Sequence, residues 1–180
     1  MQKLLVSATL FALAGLVTIL PSTRPTRSPA PPQVAVVTTP PSKISSQSSP
    51  DGKFIVTLTH TADVATVSIG STAIFTHRMS PDTVVSLPFN TWSPNNKYLF
   101  IKEVGTSDTS YIVMSASGAS PANVTEFFAE SYPDLKLNDV TGWADGTLLV
   151  VNYTSSAGKP ASLWFDVTSH HFIPLAVYFN

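Results

Sequence analysis

Cysteine is absent from the 180 residues of this chain. Its absence excludes thiol catalysis, thiolate metal sites and disulfide staples, and leaves the compartment open, because exported and cytosolic chains both do without thiols. Charged residues are scarce, at 12%. There is no Gly-x-Ser-x-Gly elbow, Walker loop, dinucleotide glycine pattern, His-Glu-x-x-His pair or EF-hand loop, so the common hydrolase, nucleotide and metal signatures are missing. Helical periodicity is missing too, except over Val124 to Ser131, which reads either as a strand over Val124 to Phe128 or as one or two helical turns. The histidines supply no obvious site. His170 and His171 are adjacent, and on a strand they point to opposite faces, whereas His60 and His77 are spaced to meet across a sheet. Asp51, Asp139 and Asp145 read as turn residues that accept backbone N–H bonds, not as an acid/base pair. No catalytic residue, metal or cofactor is expected.

The first twenty residues stand apart. Lys3 precedes an uncharged apolar run of 17 residues, Leu4 to Leu20, at the lower limit for crossing a bilayer. Residues 1–20 are therefore expected to be a signal anchor holding the chain to a membrane. The best small-x-small match, Ala12-Leu13-Ala14, would leave a peptide shorter than usual, which favours the anchor; the alternative is a signal peptide cleaved near Pro21 to Thr23. Residues 21–48 are rich in Pro, Ser and Thr, a composition that builds no core and favours an extended tether of up to ~90 Å. Gln33 to Val37 interrupts it with β-prone residues, either as linker or as an added edge strand. All the acids lie beyond residue 43, where eleven of them face six bases and give a net of −5, against +4 for residues 1–43. An acidic domain repels phosphate backbones, so nucleic acid is not an expected partner. The expected location is extracytoplasmic, membrane-anchored or, after cleavage, secreted.

Beyond residue 48 a polar turn runs three times into an apolar strand. Ser49-Pro-Asp-Gly-Lys53 precedes Phe54 to Val56, Trp92-Ser-Pro-Asn-Asn-Lys97 precedes Tyr98 to Ile101, and Trp143-Ala-Asp-Gly146 precedes Leu148 to Val151. Aligned on Gly52, Asn96 and Gly146, the copies start 44 and 50 residues apart, a period that suits four-stranded blades. Consecutive strand residues point to opposite faces, so each unbroken apolar run predicts a strand covered on both sides. Second strands are expected at Ala65 to Ile69, Tyr111 to Met114 and Leu163 to Val167. Third strands are expected at Ala73 to His77, Val124 to Phe128 and Phe172 to Leu175, with Val84 to Leu87 and Leu135 to Val140 entering the next repeat.

These motifs resemble the TolB-type β-propeller repeat, over roughly Ser49 to Leu175. The resemblance implies an all-β fold of about three antiparallel blades, a partial propeller across residues 49–180. Asp51, Gly52, Asn96, Asp145 and Gly146 would shape its turns, and Trp92 and Trp143 would pack between its blades. Asn95-Asn96 replaces Asp-Gly in the second copy, and the third lacks Ser-Pro and is one residue shorter. Propellers close with about 4 to 8 blades. Three blades therefore leave the first and last each with an open apolar face, to be covered by local segments, a second copy or another protein.

The function expected from this pattern is non-enzymatic: a tethered scaffold for protein or glycan recognition. Phe127, Phe128 and Tyr132, in a longer connection, are the expected partner contacts. The alternative is an accessory domain of an extracytoplasmic hydrolase, or an enzyme with its site in a blade channel.

Overall fold

The computed structural model describes residues 42–119 and 121–175. The expectations for Leu4 to Leu20, for the tether up to residue 41 and for Gln33 to Val37 lie outside them. Among the described residues no helix is long and apolar enough to cross a membrane.

The described chain is three four-stranded antiparallel sheets, each a meander in chain order. The first comprises β1 (Lys43–Ser48), β2 (Ile55–Thr61), β3 (Val64–Ile69) and β4 (Thr72–Arg78). The second holds β5 (Val84–Ser86), β6 (Tyr98–Val104), β7 (Thr109–Ser115) and the short β8 (Ala122–Asn123), which leads into the helix α1 (Val124–Ser131). The third contains β9 (Lys136–Trp143), β10 (Leu148–Thr154), β11 (Pro160–Asp166) and β12 (His171–Pro174).

Two apolar clusters join the sheets. Leu99, Ile101, Ile112 and Met114 on one face of the second sheet pack with Val56, Leu58, Ala65 and Val67 of the first. Phe100, Tyr111 and Val113 on its other face pack with Leu149, Val151, Leu163 and Phe165 of the third. The second sheet therefore lies between the other two. Leu99, Phe100 and Ile101 are all fully buried, as the unbroken run predicts.

The outer sheets depart from that expectation. Phe54 and Ile55 are 45% and 53% exposed, and β10 alternates buried with half-buried positions. An outer sheet has a neighbour on one side only, so its apolar run is covered on one face.

The first repeat's turn is closed by Ser49. Its hydroxyl donates to Asp51 Oδ1 (2.7 Å) and accepts from Phe54 N (3.0 Å), while Asp51 Oδ1 also accepts from Lys53 N (3.1 Å). Ser93, Asn95, Lys97 and Tyr98 repeat the pattern at 2.8, 3.0 and 2.9 Å. Gly52 and Asn96 take the left-handed φ values of 72° and 60° that these turns require. Gly146 lies in the third repeat's turn, between Asp145 O and Leu148 N (3.4 Å), without a positive φ. It is small for a different reason: a Cβ there would collide with the Asn95 side chain of the neighbouring turn.

Three further expectations are corrected. Lys43 to Ser48, assigned to the tether, forms β1 and pairs with β2 over six positions, since an edge strand needs backbone partners more than apolar content. Val124 to Phe128 is helical. Asn123 Oδ1 caps α1 by accepting from Thr125 N and Glu126 N, and Thr125 Oγ1 accepts from Tyr111 N in place of a third strand. The free face of the first sheet is not simply apolar. Cross-strand register places Ser46, Thr57 and Ser68 in one row and Ile44, Thr59 and Thr66 in the next.

Candidate functional site

Trp143 lies edge-on to Phe100 and stacks on Tyr98, and its Nε1 donates to Thr91 O at 3.2 Å. Trp92 Nε1 donates to Gln47 O at 3.5 Å. Gln47 and Thr91 are each five residues before the aligned Gly52 and Asn96, so each indole bonds the same position of the preceding repeat.

Phe127, Phe128 and Tyr132 face inward. Phe128 is fully buried, with Tyr132, Tyr153 and Phe172 around it, and Phe127 sits against Phe165 and His170. These rings pack the helix onto the third sheet, Phe128 wholly and Phe127 and Tyr132 with part of their surface still accessible. Asp51 accepts from Ser49 Oγ and Lys53 N within the first repeat's turn. The Ser49 hydroxyl, and then the Lys53 backbone N–H, hold its carboxyl below the ordinary range. Asp145 accepts from Gly146 N. His60 and His77 do not meet, because Ala65 stands between them in the register, and His77 Nε2 lies 3.1 Å from Glu103 Oε1 instead. Among the described residues no group of His, Asp and Glu is arranged to hold a metal.

The site that sequence reasoning missed lies where β5 and β9 approach one another. A cleft of about 350 Å³ is lined by Ser86, Phe89, Asn90, Lys102, Tyr111 and Asp139, among others. Asp139 is on β9, not in a turn, and accepts a 2.5 Å hydrogen bond from the Tyr111 hydroxyl. Burial, and then the Asp139 carboxylate, raise the Tyr111 phenol well above its ordinary range. Tyr111 is thus fixed as a donor and makes a poor base. Lys102 Nζ lies 5.6 Å from the centre of the Tyr111 ring, within the range of a cation–π contact. The cleft therefore offers a cation and a carboxylate over the buried Tyr111 ring, which suits holding a polar group better than breaking a bond.

Phe89 stands at its rim, 94% exposed. The loop that carries it is fastened on both sides. Gln47 Nε2 of β1 donates to Pro88 O (2.8 Å) and Leu87 O (3.3 Å), and Asn90 Nδ2 donates to Thr141 O (3.2 Å) on β9. Thr91 N returns to Pro88 O at 3.1 Å. The only sequence sign of this was an aromatic residue inside a Pro/Asn loop.

Comparison with models of protein families gives no match, and comparison with curated proteins gives none.

Proposed function

We propose that this chain is a non-enzymatic binding module, held outside the cytoplasm by residues 4–20, whose three sheets are blades of a TolB-type partial propeller. Its ligand is a protein, gripped by Phe89 and the cleft behind it. The observation that carries this reading is the combination of full exposure and fastening at Phe89. A lone exposed apolar side chain on a mobile loop is ordinary. One held by hydrogen bonds from both neighbouring sheets has little loop entropy left to lose on binding, which is what an interface anchor needs. Aromatic rings are enriched at the cores of such interfaces, and the Lys102–Tyr111–Asp139 group beside the ring supplies the polar contacts. Phe89 itself carries no hydrogen-bonding atom, which suits an apolar protein pocket better than a sugar.

The test is a photoreactive residue at position 89 in the full chain, irradiated in its native membrane, with a control probe at Lys159 in an exposed turn. A discrete protein adduct at position 89, absent at 159 and weakened by Lys102→Ala, is expected. Equal labelling at both positions, or none at 89, overturns the reading.

A further inference from the structure

The two outward faces of the three-sheet stack are counterparts of each other. Aligned on Gly52, Asn96 and Gly146, positions 55 and 57 of the first repeat correspond to 99 and 101 of the second and 149 and 151 of the third. Leu99 and Ile101 face the preceding sheet, and so do Leu149 and Val151. Their equivalents Ile55 and Thr57 have no preceding sheet to face. In the other direction, Val56 and Phe100 face the following sheet, and their equivalent in the third repeat, Val150, has none. The stack is therefore head-to-tail, and its free tail has the position, register and strand direction to which its free head corresponds.

The chemistry of the two faces is compatible with contact. Val150, Trp164 and Ile173 form one cross-strand row on the third sheet, with Leu148 beside them, and Ile173 is 40% exposed. The first sheet offers Ile44 and Ile55 among small hydroxyl side chains. The centres of both faces, Leu148, Val150, Trp164 and Ile173 on one and Ile44, Ile55, Thr57 and Thr59 on the other, carry no charge, and Asp166 and His171 continue the row of Leu148.

We propose that a second copy of this chain covers both faces: the third sheet of each copy packs on the first sheet of the other, closing six sheets into a ring. This rests on reading the sheets as a partial propeller, and is independent of the Phe89 cleft. A head-to-tail contact closes a ring only if its rotation allows, and otherwise grows a filament. Two copies supply six sheets, inside the range of about 4 to 8 at which propellers close, whereas three copies exceed it. The first repeat has Ser48 where the others have Trp, so the contact between copies lacks the indole bond found within a copy. Association is accordingly weaker than the internal stacking and depends on concentration.

The absence of cysteine makes the test clean. Thr57→Cys and Val150→Cys are introduced together into the full chain, in its native membrane, and treated with a short bismaleimide. A dimer band without trimer or tetramer is expected. Each single variant alone should give no dimer, and the two singles expressed together should link to each other. A ladder of higher species means an open stack and overturns the ring. Dimers from either single variant mean like faces meeting, which also overturns it, as does no cross-link at all. An internal control separates these failures from failure of the stack itself. Ile69 and Ser117 line one cleft between the first and second sheets, so Ile69→Cys with Ser117→Cys should give a faster-migrating monomer. If that link forms while the first pair gives none, only the ring is wrong.

Discussion

Replacing Phe100 by Ala tests whether the second sheet is squeezed between its neighbours. Phe100 is fully buried, and its ring meets Trp143 edge-on at 6.2 Å within the cluster that joins the second and third sheets. Truncating a fully buried Phe costs about 3–5 kcal/mol, the lost transfer energy plus the cavity left behind. That is a large part of the roughly 5–15 kcal/mol a domain has in total. With a urea slope of about 2 kcal/mol/M, a loss of about 4 kcal/mol lowers the unfolding midpoint by about 2 M. Ile55→Ala is the matched control: it deletes an apolar side chain from the same stretch of the preceding repeat, but from the free face, and should cost less than about 1 kcal/mol. The assay is equilibrium urea unfolding of the full chain in mild detergent, followed by the fluorescence of its three tryptophans, Trp92, Trp143 and Trp164. If the two substitutions shift the midpoint equally, or Phe100→Ala by under about 0.5 M, the middle sheet is not enclosed.

Other expectations follow from single contacts. Asp51→Asn should leave urea stability nearly unchanged at neutral pH, because Asn95 accepts the same bonds in the second repeat, whereas Ser93→Ala should cost about 1 kcal/mol by freeing Tyr98 N and the Asn95 amide. Gly146→Ala should cost about 1–3 kcal/mol in the same assay, since Asn95 is held by its own turn and cannot yield to the new methyl. The Tyr111 phenol is raised in the folded chain, so its share of stability is intact below the ordinary tyrosine range near pH 10 and falls as pH climbs from there toward the folded value. Urea midpoints measured from pH 9 to 11 should show this fall, and Tyr111→Phe should flatten it.

The repeat was legible because its turn chemistry is local. Ser49-Pro-Asp-Gly-Lys53 and its second copy make the same bonds to the same backbone positions, and the apolar runs after them mark the strands correctly. What the sequence pattern did not carry is which neighbour each face would have. Ile55 and Leu99 look alike in the chain, yet one is half exposed and the other fully buried, because burial depends on a sheet 44 residues away. Lys43 to Ser48 escaped notice for the opposite reason: its composition matches the tether, and only pairing with β2 makes it a strand. The cleft was hidden because Lys102, Tyr111 and Asp139 come from three strands and form no motif. Asp139 was read as a turn residue for its polarity alone. Phe127 and Phe128 read alike as aromatics in a connection, but the capped two-turn helix directs Phe128 into the core and leaves Phe127 partly buried beside it.

The bonds from Gln47 to Pro88 and Leu87 set a path for mechanical load. On the proposed anchoring and grip, tension entering at Lys43 spreads into β2 through the β1 pairing and reaches the Phe89 loop through the Gln47 side chain. Losing the Gln47 bonds alone would leave the Phe89 loop held from one side only, by Asn90 on β9.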